Sequence, residues 1–414
     1  MTFAFEPTLA FAEKLDSEDP LRPFRSQFHI PKTTGGTRCL YFVGNSTGLQ
    51  PKKTQQYVQE ELRIWAEMGS EGHFAGTPNW YAYHESVAEP LARLVGGLPI
   101  EVVAMNSLSA NIQFMLAAFY QPSRERFKIA IEAGAFPSDR YAVVSHLQFR
   151  GYDPKTALVE VPPESLLSDL EKEKDRLALV LIGNPNYLSG RVFPSAELAR
   201  FGKRHGIMVG LDLAHGIGNL DLRLHDWGID FAVWCSYKYL NAGPGAIGGC
   251  FVHEKHARDF ARPRLGGWWG HDKHTRFLMA PTFDPMAGAE GFQVSNPPIF
   301  QLAALRASLE LFDEATLPAL RKKSELLTAY LEYLVNSISG LPLELITPTD
   351  LAQRGAQLSW RVRGSAKRFV EGLKKQGVAC DFREPDVLRV APVPLYNQFV
   401  EVFRFAEILK NAKA

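Results

Sequence analysis

Short apolar runs recur through the first part of the chain, each closed by glycine or a polar residue. They lie at residues 40–43, from 102, and at 127–131, 157–161, 177–182, 207–211, 231–235 and 246–252. Because these runs lack the alternation of a half-solvated sheet, they predict strands covered on both faces, as a mainly parallel sheet requires. Between them, apolar residues spaced three and four apart predict helices at 51–65, 84–95, 164–174 and 195–205. Two more are expected, one after the polar turn NSLS and running to 120, one opened by Pro137, Ser138 and Asp139. Strand and helix therefore alternate, and the fold class expected is α/β.

The pattern changes near residue 300. A long helix from 298 and another at 317–338 lead to strands at 343–347 and 357–363, a helix at 366–376, strands at 379–382 and 387–391, and a helix at 397–410. That is a smaller α/β unit of its own. The first 40 residues are polar and proline-bearing, with one short helix near 10–15, and read as an arm lying on another part of the chain. No internal repeat or low-complexity segment interrupts this order.

Composition narrows the function class. A chain of 414 residues, 46% hydrophobic, exceeds what one core holds, so more than one domain is expected. Its 46 basic and 45 acidic residues give no basic excess, which argues against nucleic acid or a membrane surface as a partner and for small molecules. Residues 1–20 carry no secretory pattern and no apolar run is long enough to span a bilayer, so a cytoplasmic protein is expected. Cys39, Cys235, Cys250 and Cys380 are scattered and read as buried thiols.

The chemistry starts at Asp212 and Lys238, which follow the runs 207–211 and 231–235. In open α/β sheets ligands bind beyond the carboxyl ends of the strands, so these two would meet at one crevice. A cofactor that uses both is pyridoxal 5′-phosphate: the lysine holds its aldehyde, and the carboxylate keeps its pyridine nitrogen protonated. Several neighbours are ambiguous from spacing alone. Ser107 or Ser109 is a plain helix cap or part of a phosphate site, and Asp139 is a first-turn charge or a ligand contact. Phe136 is free to stack on an aromatic ring, and Asn45 and Ser46 in GNSTG form a turn or line a carboxylate-bearing substrate. HEKH at 253–256 lacks a third ligand for zinc and reads as a solvated helix start. Trp268 and Trp269, set among glycines, read as loop contacts to a ligand or a subunit.

Taken together, DLAHGIGN, HDWGIDFAVWCSYKYLNAGPGAIGG, GWWGH, GFQVSNPP, AFPSD and YFVGNSTGLQP resemble the kynureninase family, from about residue 40 to 400. The resemblance implies the fold-type-I transferase fold of pyridoxal-phosphate enzymes. It comprises a large domain (51–299) with a mainly parallel seven-stranded sheet flanked by helices, a small C-terminal α/β domain (300–414), and an N-terminal arm (1–50) packing on the small domain. It implies hydrolytic Cβ–Cγ cleavage of kynurenine or 3-hydroxykynurenine to the anthranilate and alanine, with Lys238 as Schiff-base lysine and Asp212 as pyridinium partner. Tyr237 becomes the candidate proton donor. Leu108, Ser109, Phe136, Ser138, Asp139, His215, Tyr237, Trp268 and Asn296 would surround the cofactor. Arg389 in VLRVAPVPLYN would grip the substrate's α-carboxylate, a bidentate task suited to arginine. His73 and Asn296 resemble the polar positions of members acting on 3-hydroxykynurenine. A homodimer with shared active sites is implied, the tryptophan loop and the SNPP segment reaching the neighbouring subunit. One departure stands out: the polar group expected at GNPNYLSG is replaced by Gly183 beside Asn184. The rival readings are an aminotransferase or a cysteine desulfurase of the same fold, and a non-catalytic cofactor-binding protein.

Overall fold

In the computed structural model, which describes residues 4–411, the apolar runs form a seven-stranded sheet. In chain order its strands are β1 (Val102–Ala104), β2 (Lys128–Glu132), β3 (Leu158–Val161), β4 (Leu177–Gly183), β5 (Met208–Asp212), β6 (Phe231–Cys235) and β7 (Gly248–Val252). Across the sheet they lie β1-β7-β6-β5-β4-β2-β3. Six strands run one way; β7 pairs antiparallel with both β6 and β1. Alternate residues of each strand enter different cores, which explains the unbroken apolar runs. Ala130, Val180, Val209 and Ala232 face one side with Leu198 and Phe201 of the helix Ser195–His205. Ile129, Leu179, Phe231 and Val233 face the other with Ile112 and Val143. Gly210 in β5 is required by that packing, because a Cβ there would stand 2.1 Å from the Phe231 ring.

The second unit is an antiparallel sheet of β8 (Leu343–Leu345), β9 (Leu358–Val362), β10 (Asp381–Arg383) and β11 (Val387–Val390), in the order β10-β11-β9-β8. The helices Leu317–Asn336, Ala366–Lys375 and Phe399–Lys410 cover it through Leu327, Phe369 and Phe405. The amino-terminal segment joins this core. Ala12 and Phe42 are buried in it, and the two-residue strand Leu40–Tyr41 pairs in parallel with Val378–Ala379. Asp16, on the helix Leu9–Glu18, accepts from the amides of Phe399 (2.8 Å) and Val400 (3.1 Å) and so caps the last helix.

Four expectations need correcting. The strand expected at 379–382 is divided, because the chain changes partner at buried Cys380: Val378–Ala379 pairs with Leu40–Tyr41, Asp381–Arg383 with β11. The helix expected at 84–95 begins as a tight 3-10 turn, Tyr83–Val87, before the regular turns Ala88–Val95. Pro90, lacking an N–H, cannot continue the ladder back into that turn. HEKH is not a solvated start: His256 is buried against Asp230 (2.8 Å), and His253 meets the His225 carbonyl at 3.1 Å. Trp269 is core, at 1% exposure, whereas Trp268 is 41% exposed.

Candidate active site

The carboxyl ends of β2, β4, β5 and β6 open onto one pocket, and six residues singled out from the sequence line it: Leu108, Phe136, Asp139, Asp212, His215 and Lys238. Each comes from a strand end, the turn that follows, or the first turn of the next helix. Asp212 is the last residue of β5, where its Oδ1 accepts from the Ala214 amide at 2.7 Å. Lys238 follows β6 by three residues, its Nζ 5.8 Å from the Phe136 ring centre and 5.9 Å from that of Tyr237. Ser109 and Ser138 stand in the first turns of the helices Leu108–Phe119 and Pro137–Phe149, their hydroxyls 2.6 Å apart. Ser107 is the cap residue of the former but makes no side-chain cap bond. Two helix amino termini thus converge beside the lysine, each offering a hydroxyl, an arrangement suited to a phosphate.

Acids crowd the other end. Asp139 and Asp212 are buried close together; burial raises both carboxyls, and for Asp139 the Asp212 charge adds to the rise. Glu132, the last residue of β2, joins them: burial pushes its carboxyl up to about 8, and its Oε2 accepts from the Gly183 amide at 3.1 Å. This acid was not singled out from the sequence. Gly183 is where a polar group was expected; a Cβ there would come within 2.8 Å of Glu132 Oε1. Beside it Asn184 turns away, donating to the Phe193 carbonyl (3.2 Å) and Ser195 Oγ (2.7 Å).

Asp139 Oδ1 and His215 Nδ1 are buried without a partner. His215 is held neutral, well below its usual range, by burial and then by the charges of Lys238, Arg389 and Arg383. Orphaned polar atoms beside an amine, an acid pair and two helix termini fit a charged aromatic cofactor with a phosphate arm. Tyr237 is held protonated by burial, and Cys235 beside it is raised to about 11 by the same cause.

From the small sheet comes Arg389, 1% exposed. It donates from Nε and Nη2 to the two oxygens of Asp381 (2.8 and 2.6 Å) and from Nη1 to the Tyr187 carbonyl (2.8 Å). Tyr187 lines the Lys238 pocket and meets Phe136 edge-on at 5.1 Å, so the small sheet reaches the pocket wall through it. Asn45 is buried and donates to Gln357 Oε1 at 2.7 Å, while Gln357 Nε2 donates to the Tyr187 carbonyl at 3.0 Å. Ser46 closes the neighbouring turn, its amide on the Val43 carbonyl at 2.9 Å.

Three singled-out residues lie away from this pocket. His73 is half-buried, its Nδ1 3.0 Å from the Ser70 carbonyl and its ring edge-on to Trp80. Trp268 donates from Nε1 to the Arg276 carbonyl (3.2 Å) and lines a different cleft with His271 and Phe283. Asn296 is exposed. The loops of the last two are packed together, for a Cβ on Gly267 would stand 2.3 Å from the Val294 backbone.

Comparison with known proteins agrees on both fold and family. A family model for the kynureninase C-terminal domain matches residues 320–409. A curated kynureninase of Myxococcus xanthus is 54% identical, covering 99% of this chain and 98% of its own length. One of Koribacter versatilis is 50% identical, over 98% and 97%. Among solved structures, a variant of C-DES with glycine covalently linked to its PLP cofactor superposes with a TM-score of 0.77 at 16% identity, over 94% of this chain and 99% of that one. A cysteine desulfurase from Escherichia coli gives 0.76 at 18%, over 99% and 98%. At those identities the structural likeness is one of fold.

Proposed function

The chain belongs to the kynureninase family, and from that premise we propose that it cleaves the Cβ–Cγ bond of kynurenine hydrolytically, yielding anthranilate and alanine, with pyridoxal 5′-phosphate bound at Lys238. The observation that carries the reading is the meeting of a lysine, a buried acid pair and two helix amino termini at the strand ends of a fold-type-I sheet. When bound, the cofactor supplies an electron sink conjugated to the substrate's α-carbon.

The residues divide the remaining work. Ser109 and Ser138 would hold the cofactor's phosphate, Phe136 would pack on its ring, and the Asp212–Asp139 pair would keep its pyridine nitrogen protonated. Arg389 takes the α-carboxylate. Lys238, once its amine is free, removes the α-proton. Water then adds to the γ-carbonyl, and collapse of the hydrate releases the acyl group. Tyr237 delivers a proton to Cβ, a task that suits a hydroxyl kept protonated by burial.

A homodimer completes the site in this reading. Trp268 and Asn296 lie away from the pocket of their own chain but on two segments packed as one surface, ringed by exposed Phe74, Phe277, Leu278 and Met279. A contiguous apolar surface of that kind favours a subunit partner. Preference for the 3-hydroxy substrate rests on His73 and Asn296. With its Nδ1–H donated to the Ser70 carbonyl, His73 leaves Nε2 for a ring hydroxyl. The four thiols are free, which supports a reducing, cytoplasmic setting. The two sheets support a large and a small unit. The expected boundary at 299 falls too early, because Leu302, Leu305, Leu309 and Phe312 of the helix Ile299–Ala315 belong to the large sheet's core. The arm to residue 50 packs on both units, through Leu21 and Phe28 on one and Ala12 and Phe42 on the other. The desulfurase alternative is disfavoured, since Cys235, Cys250 and Cys380 are buried, Cys39 is half-buried rather than buried as expected, and none of the four lines the Lys238 pocket.

The test is direct. Protein loaded with cofactor and given kynurenine should release fluorescent anthranilate and equimolar alanine, and Lys238→Ala should abolish turnover along with the borohydride-reducible chromophore. Absence of both products from a protein that carries the chromophore would retire the hydrolase reading.

A further inference from the structure

Asp381 and Arg389 sit directly opposite each other on β10 and β11, so their side chains emerge on the same face of the small sheet. Both Asp381 oxygens are spent on one edge of the guanidinium, the edge formed by Nε and Nη2. The Tyr187 carbonyl takes a hydrogen of Nη1. An arginine carries five N–H groups, so one remains on each terminal nitrogen. Arg383, two residues along β10 and therefore on the same face, places Nη2 3.2 Å from Asp381 Oδ2. Two cations and one anion leave this cluster with a single positive charge, the complement of one carboxylate. Both arginines act on His215, which lines the Lys238 pocket, so that surplus charge is felt where substrate would sit.

We infer that Asp381 is a positioning residue for substrate binding: it grips Arg389 by one edge, fixes the plane of the fork, and leaves the two terminal nitrogens as the only face open to the substrate's α-carboxylate. The inference rests on the reading of Arg389 as the carboxylate grip and adds how that grip is held ready. A buried guanidinium without a counter-charge would either rotate toward one or draw in water, and each would have to be undone when substrate arrives. Arg383 adds a second cation at Asp381 Oδ2 without taking a donor from the fork.

The experiment uses the cofactor-loaded enzyme and two small probes, L-alanine and L-alaninamide, which differ at the carboxylate alone; binding is read in the cofactor's visible absorbance. Wild type should prefer alanine. In Asp381→Ala, alanine should bind about 10-fold more weakly or worse while alaninamide stays within about twofold, and the KM for kynurenine should rise more than kcat falls. Asp381→Asn, which keeps one acceptor for Nε, should recover part of the preference. If Asp381→Ala does not hold cofactor, Asp381→Asn decides: alanine weakened about threefold with alaninamide unchanged supports the inference. Alanine binding unchanged in Asp381→Asn, or both probes weakened alike, overturns it. Arg389→Lys separates the two levels. If that variant leaves alanine binding unchanged, the carboxylate assignment itself falls; if it weakens alanine while the Asp381 variants do not, only the role of Asp381 falls.

Discussion

Glu132 shows how much a single position can hide. At the end of an apolar strand, followed by AGAF, it reads as a charge on its way to solvent, and nothing local says otherwise. Its burial depends on Asp139, Asp212 and Gly183, which arrive from later turns of the chain. Lys238 and Asp212 were legible because each closes its own apolar run; Tyr187, Gln357 and Asp381 were not, since their roles are contacts with residues far off in sequence. The raised carboxyl has a measurable sign. An unfolded Glu132 would titrate near 4.5, the folded one at about 8. Between those values the folded state keeps a proton that the unfolded chain has lost, so stability falls as pH rises through that window and is level above it. Asp139, raised by burial, acts in the same direction. In cofactor-free protein, Glu132→Gln should therefore flatten the decline in melting temperature from pH 5 to 8 and raise stability at pH 8 by a few kcal/mol at most. A variant whose melting curve tracks wild type at every pH would contradict this. His73 carries a second residue-scale expectation: His73→Ala should lower kcat/KM for 3-hydroxykynurenine by about 10-fold, one charge-free hydrogen bond's worth, and leave kynurenine nearly untouched. Equal losses on both substrates would remove the specificity role.

Elements were more legible than contacts. The helix Ser195–His205 and the strand Phe231–Cys235 follow their patterns residue for residue, because apolar period and a flanking stop agree: Gly206 ends the helix in a left-handed conformation. Agreement failed where an element's partner changes midway, as at Cys380, or where a tryptophan's surroundings come from elsewhere. Trp269 stacks on Arg276, whose guanidinium lies 4.4 Å from its ring centre and also faces Tyr81, so a residue set among glycines is nonetheless core. The tryptophan loop and the 294–296 segment act as one element through Gly267. Gly267→Ala should force the two apart, lowering unfolding free energy by about 1–3 kcal/mol and reducing turnover. Denaturant unfolding and the anthranilate assay together check it; unaltered values in both would mean the loops are not coupled.

For the whole molecule, the shared-site dimer predicts complementation. Lys238→Ala and a Trp268→Ala/Asn296→Ala double variant should each be inactive alone, whereas mixing them under subunit exchange should restore about a quarter of wild-type activity, from the half of dimers that contain one intact site. No recovery after verified exchange would place each site within one chain. The pairing of Leu40–Tyr41 with Val378–Ala379 also has a consequence for how the protein is made. Leu40 leaves the ribosome long before its partner exists, and at roughly 5–20 residues per second the delay is on the order of 20 to 60 seconds. The large sheet can form during that interval. Part of the arm cannot: Phe42 meets Phe405 and Asp16 caps the helix Phe399–Lys410, so neither contact exists until that helix is complete. These early residues are thus among the last to settle, and until then Phe42 is an apolar side chain that a chaperone would have to shield.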